Sequence, residues 1–275
     1  MKSIGELIQL STSFLEERGI DRAKRLAEQL IAHKLGLKRL DLYLQFDKPI
    51  EEKEFAELRE PLKRLSKSEP IEYILGEVDF FGCKIEIDNR VLIPRPETEI
   101  LVEHILKRVK GPVVWDVCTG SGCIGIALKK ARPELQMSVS DLSADALTLA
   151  AKNALENKVD VELVQGDLLS PFRGKADVVI CNPPYISTSE YLNLQPSVRN
   201  FEPKMALVGG ESGIEFYERL ARELPPFLND GAQVFLEIGC AQGPRIQEIF
   251  KGGSWRLMHL EKDWAGHDRF FFLEK

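Results

Sequence analysis

Chemistry in this chain gathers first at Asn182-Pro183-Pro184-Tyr185, a tetrapeptide that follows the apolar run Ala176 to Cys181. Such a run reads as a buried strand, so a stiff polar segment is delivered at a strand end. Each proline fixes its own φ and has no N–H, and a residue before proline is pushed toward extended backbone, so Asn182 and Pro183 are expected to be extended with aimed carbonyls. A planar NH2 group can then donate one hydrogen to the Asn182 side-chain oxygen and the other to the Pro183 carbonyl, with the Tyr185 ring on its flat face. That is a grip for an amide or an amino-purine. Taken alone, an Asn-Pro pair at a strand end is as often only a turn.

Three other strand ends keep it company. Ligands of open α/β sheets lie beyond the carboxyl ends of the strands, near the switch in strand order. The first such end is Asp116-Val117-Cys118-Thr119-Gly120-Ser121-Gly122, where Gly120 and Gly122 let backbone approach a ligand. Asp141 closes the second strand 21 residues after Gly120, close to the spacing of about 20 for an acid that binds ribose hydroxyls. Gly166-Asp167-Leu168 ends the third. There a carboxylate can accept from an adenine exocyclic amine and an apolar side chain can flank the ring. The plainer readings are that Asp141 only precedes a helix cap at Ser143 and that Asp167 only forms an Asx turn. Cys118 stands at the first glycine position of the Gly-x-Gly-x-x-Gly phosphate fingerprint, which favours a nucleoside ligand without a pyrophosphate, S-adenosylmethionine over a dinucleotide.

The elements that must position these residues are legible as periodicity. Residues 1–75 carry helical stripes: a capping box at Ser3 to Glu6, a second helix from Asp21 closing at Gly36, a short one near Asp41 to Leu44, and Glu51 to Lys67 kinked or divided by Pro61. Residues 76–92 suggest a β-hairpin linker, with alternation in Val78 to Ile87 around Gly82. From 93 to 275 a proline-stiffened loop, with Thr98 starting a helix from Ile100 to Val109, leads into alternating strands and helices. The strands expected are 113–117, 136–141, 159–165, 176–181, 233–238, 255–260 and 269–273, with a helix over 213–228. This predicts an α/β fold, a mostly parallel seven-stranded sheet with helices on both faces and an antiparallel edge.

Composition narrows the partners. With 44% hydrophobic and 29% charged residues among 275 the chain is that of a folded soluble protein. No apolar run approaches the roughly 18 residues of a membrane span and the amino terminus does not read as a signal peptide, so the cytoplasm is expected. Five scattered cysteines and four dispersed histidines lack ligand spacing, so no metal site is expected. A net charge of −6 weighs against a dedicated nucleic-acid binder.

Taken together these motifs resemble the class I methyltransferases and, within them, the release factor glutamine methyltransferases of the PrmC/HemK type. The resemblance rests on Glu69-Pro70-Ile71-Glu72-Tyr73-Ile74-Leu75-Gly76, Ile93-Pro94-Arg95-Pro96-Glu97-Thr98-Glu99, Asp116 to Gly122, and Asn182 to Tyr185. It extends through Glu202-Pro203, Ala206-Leu207, Gly209-Gly210, Gly213, Asp263, Ala265-Gly266 and Asp268-Arg269. It implies a Rossmann-like domain behind a small all-α substrate-recognition domain. It also implies methyl transfer from S-adenosylmethionine, leaving S-adenosylhomocysteine, to the glutamine of a Gly-Gly-Gln segment in peptide chain release factors, by a monomer. On matching positions Cys118, Thr119, Gly120, Ser121 and Gly122 would lie against the cofactor's methionine part, Asp141 on ribose, Asp167 and Leu168 about adenine, and Asn182 on both cofactor and glutamine, with Pro183, Pro184 and Tyr185 completing the catalytic loop. Cys118 departs from the family's usual glycine. The alternatives are glutamine methylation of a ribosomal protein, adenine amino-methylation on a flipped base, and a non-catalytic nucleotide-binding adaptor.

Overall fold

A computed structural model describes residues 2–275; Met1, the first residue of the expected helical domain, lies outside them. The chain forms two compact units, one of the chain up to Gly76 with Gln195–Phe201, the other of Glu77–Leu194 with Glu202–Lys275.

In the first unit, helices Ile4–Glu16 and Ala23–Lys34 bury Leu7, Leu15, Ala27 and Ile31 against Leu42 and Leu58. Ser3 and Glu6 close the capping box, satisfying two orphan N–H groups. The helical stretch expected from Glu51 is two helices, Glu52–Glu57 and Arg59–Leu65, dividing at Leu58 instead of Pro61. Pro61 falls in the first turn of the second, where an N–H would have no intrahelical partner to lose. Arg64 then reaches forward in a fork to both Glu69 carboxylate oxygens at 2.8 and 2.6 Å, anchoring the turn that leads into helix Ile71–Leu75.

The second unit is built on a seven-stranded sheet: β1 (Val113–Val117), β2 (Gln136–Asp141), β3 (Glu162–Gln165), β4 (Ala176–Cys181), β5 (Leu228–Glu237), β6 (Leu257–Lys262) and β7 (Asp268–Glu274). Their order is β6-β7-β5-β4-β1-β2-β3, all parallel except β7, which is antiparallel to both its neighbours. This is the sheet expected from the alternation. Strands covered on both faces need continuous apolar runs, and Val114, Val117, Val179, Ile180, Val234 and Leu236 are fully buried. The chain leaves β1 toward β2 and β3 on one side and resumes at β4 on the other. The switch therefore lies between the carboxyl ends of β1 and β4.

Element limits shift for physical reasons. β3 starts at Glu162 and not Val159, because the Val159 N–H closes the preceding helix on the Ala154 carbonyl at 3.0 Å. The helix expected over 213–228 spans Glu215–Glu223, since Pro225 and Pro226 cannot continue it, and β5 begins at Leu228 with an irregular register before Gln233. Strands Glu77–Phe80 and Cys83–Glu86 pair antiparallel as a hairpin. Asn153, fully buried on helix Ala144–Glu156, accepts from the Glu86 N–H at 2.8 Å and donates to the carbonyls of Glu86 and Ser121 at 3.0 and 2.9 Å. One amide thus fastens the hairpin beside the loop that follows β1.

Candidate active site at the strand ends

The loop after β1 is held from below by Asp116. Its Oδ2 accepts from the Thr119 hydroxyl at 2.6 Å and the Gly125 N–H at 3.0 Å, while Oδ1 is buried without a partner. Complete burial pushes this carboxyl up to about 7. Cys118 sits at φ +60, the left-handed conformation that a glycine adopts freely, and its thiol contacts Cys181 at the end of β4. A Cβ added at Gly120 (φ +55) would meet nothing within 4 Å, so this backbone stands open to the cavity it lines.

Asp141 ends β2 and accepts from two N–H groups, Gly120 on Oδ2 and Ser143 on Oδ1, each at 2.9 Å. Its plainer role beside the Ser143 helix cap is therefore real, since Ser143 accepts from Ala146. The same bonds also bind the β1 and β2 loops together around a carboxylate with a free lone pair on each oxygen. Burial raises its pKa. Asp167 is exposed and forked to Arg219, at 3.0 and 2.9 Å. Leu168 is buried at φ +48.

After β4, Pro183 and Pro184 are buried while Asn182 and Tyr185 are half-buried. Gln242 donates to the Tyr185 carbonyl at 2.8 Å and to that of Gly213 at 3.2 Å. A Cβ at Gly209 would lie 2.3 Å from the Pro184 oxygen, and one at Gly213 would lie 2.4 Å from the Tyr185 oxygen. The tetrapeptide is thus pressed onto glycine backbone and pinned by an amide. Desolvation pushes the Tyr185 hydroxyl well above its ordinary value.

A cavity of about 280 Å3 takes in Cys118, Thr119, Gly120, Ser121, Asp141, Asp167, Leu168, Asn182 and Pro184. Gly122, Pro183 and Tyr185 do not line it. Gly122 serves instead at the N-cap of helix Cys123–Ala131 with φ +81, where an added Cβ would strike Ile126 and Ala150. Three cations line the wall, Arg90, Arg95 and Arg219, and each is already paired, with Asp88, Glu202 and Asp167 respectively. Asp141 has no cationic partner among the described residues. The wall is poorly furnished for a pyrophosphate and better suited to a cationic nucleoside. Among the described residues no three His, Cys, Asp or Glu side chains group as a metal site, and no helix is long and apolar enough to cross a membrane.

Several partners escape a reading of the sequence. Thr98 does not start a helix but lies in the first turn of helix Pro96–Arg108, and its hydroxyl donates to Glu237 at 2.8 Å. Glu202, buried, accepts from Arg95 at 2.5 Å and from the Ile93 N–H at 3.1 Å, stapling the proline-rich loop. A glutamate that ends the apolar run Val234-Phe235-Leu236 was the available signal for Glu237.

Comparison with known proteins agrees with the geometry. The family described as "Methyltransferase small domain" matches residues 96–195 and "PrmC N-terminal domain" matches residues 6–76. A Chlamydia trachomatis protein named release factor glutamine methyltransferase is 40% identical, over 98% of this chain and 93% of its own. A Bacillus subtilis protein of the same name is 35% identical, over 98% and 96%. A methyltransferase from Pyrococcus furiosus shares the fold, with a TM-score of 0.56 at 20% identity, over 71% of this chain and 90% of that one. With relatives of this identity along nearly its whole length, the chain belongs to the release factor glutamine methyltransferase family of methyltransferases.

Proposed function

We propose that this chain transfers a methyl group from S-adenosylmethionine to the side-chain amide nitrogen of the glutamine in the Gly-Gly-Gln segment of peptide chain release factors. The observation that carries this reading is that Asn182 and Pro184 share one cavity with Asp141 and the open Gly120 backbone. A nucleoside site and the Asn182 arm of the grip for a planar NH2 group therefore share one cavity, although Pro183 itself does not line it.

The residues fit the cofactor. Asp141 would hold the ribose hydroxyls, Cys118 to Ser121 would lie against the methionine part, and Leu168 would flank adenine. Asp167 would accept from the adenine amine with the lone pairs that Arg219 leaves. When bound, S-adenosylmethionine supplies an electrophilic methyl on a sulfonium. The protein's task is positioning, because an amide nitrogen is a poor nucleophile whose lone pair is shared with its carbonyl. Asn182 and the Pro183 carbonyl accept the two NH2 hydrogens and aim the nitrogen; such orientation recovers several kcal/mol, up to about 7 to 11 in favourable systems. The same acceptors stabilise positive charge as it builds on nitrogen. The helical unit serves as the docking module for the release factor. The reaction takes place in the cytoplasm, with the protein acting as a monomer and binding neither membrane nor nucleic acid.

The test is incubation with labelled S-adenosylmethionine, a release factor, ribosomal proteins and DNA, locating the label by mass spectrometry. Label belongs on the release-factor glutamine; label on adenine or on a ribosomal protein would replace this reading. Asn182→Ala is expected to cut kcat by about 100-fold or more while cofactor affinity stays within about threefold.

A further inference from the structure

Glu237 ends β5 and is 1% exposed, a carboxylate enclosed where the mechanism above gives it nothing to do. Sheet register places it. Leu236 pairs with Cys181, the last residue of β4, across the parallel β5 and β4, so Glu237 at the end of β5 and Asn182, one residue beyond β4, come next in line at the carboxyl edge. Its backbone is pinned on two sides, by the Tyr217 hydroxyl donating to its carbonyl at 2.7 Å and by pairing with Phe270 on β7. Its side chain accepts from Thr98, and the Asn182 side chain is a further hydrogen-bond partner.

From this we infer that Glu237 is a positioning residue for methyl transfer: its carboxylate, steadied by Thr98, holds the Asn182 amide with NH2 toward Glu237 and the oxygen toward the substrate nitrogen. The inference rests on the reading that Asn182 accepts from the glutamine amide. A side-chain amide can otherwise rotate and present NH2, a donor, to a substrate group that is itself a donor. An ionised carboxylate is acceptor-only and forbids that rotation. Its charge also polarises the Asn182 amide, making the oxygen a stronger acceptor as positive charge develops. A protonated Glu237 would instead donate, which favours the rotated amide.

Burial raises the Glu237 carboxyl to about 7. The groups that face it are Thr98 and Asn182, which hydrogen-bond it and favour the ionised form, Arg269, which also favours it, and Glu97, which opposes it. Tyr185, Tyr217 and Cys123 share its field, and all three are held neutral by their own burial.

The test is single-turnover and steady-state kinetics on the full chain with release factor, for wild type, Glu237→Gln and Thr98→Val, against pH. Wild-type kcat is expected to rise with pH through about 7 as Glu237 ionises. Glu237→Gln should lower kcat about 10- to 100-fold, leave the cofactor Kd unchanged, and abolish that rise. Thr98→Val removes a bond that favours the carboxylate, so its acid limb should move to higher pH with a smaller loss of kcat. If Glu237→Gln does not fold, the Thr98→Val limb decides alone. Variants that keep wild-type kcat and the wild-type acid limb overturn the inference. A wild type that methylates no release factor overturns the function proposed above instead.

Discussion

Cys118 is a non-glycine residue held at φ +60, a backbone conformation that suits glycine. An L-residue pays roughly 1 to 2 kcal/mol for this backbone, whereas a glycine would cost about 0.5 to 1 kcal/mol in chain entropy and lose the contact with Cys181. The two effects nearly offset. Cys118→Gly is expected to change unfolding free energy by less than about 1 kcal/mol, while Cys118→Val should cost more, because a β-branched side chain is a true outlier at positive φ. Urea titration measures both. Tyr185, whose ring was expected to stack on the substrate, does not line the cavity. Tyr185→Ala is still expected to raise the release-factor KM with kcat little changed, and an unchanged KM in steady-state kinetics would count against the ring meeting the substrate. At this scale the sequence exposed the residues that punctuate strand ends, because Asn, Asp, Gly and Pro interrupt apolar runs. It hid the Thr98–Glu237 bond, since a contact between residues 139 apart leaves no local pattern.

At the scale of elements, the loop Asn182 to Tyr185 owes its shape to close approach of backbones. Gly213 has φ +77 and its missing Cβ leaves room for the Tyr185 carbonyl, which Gln242 grips. Gly213→Ala is expected to cost about 1 to 3 kcal/mol and to depress turnover by dislodging the loop. Gly231→Ala, at φ +76 with nothing within 4 Å, carries the backbone strain without the collision and should leave turnover intact. Thermal melts and kcat on the pair separate strain from displacement. Strand and helix alternation was legible as far as the order of elements. Their ends were not, where a proline pair, a tertiary register or a capping bond made the decision, as at Pro225-Pro226 and at Val159.

For the whole molecule, two fully buried carboxyls, Asp116 and Glu237, stand raised to about 7. Unfolded, each releases its proton near pH 4. Between about pH 4 and 7 the folded protein holds protons that the unfolded chain has lost, so raising pH favours unfolding there, and the decline ends above about pH 7. Each group contributes on the order of 3 to 4 kcal/mol to that decline at most. Carboxylates held low, such as Asp88 beside Arg90, give the opposite slope below about pH 4. Stability is expected to be higher at pH 5 than at pH 8, measured as the urea midpoint, and Asp116→Asn should flatten part of the difference.

The pairing of Arg90, Arg95 and Arg219 with carboxylates has an outcome for how the cofactor arrives. A wall whose cations are already satisfied has no loosely held counter-ion to release, so cofactor affinity should vary little with ionic strength, and inorganic phosphate should compete poorly. The charge left over belongs to Asp141, so the sulfonium cofactor is expected to be held in preference to its neutral thioether product, a difference that would help the spent cofactor to leave.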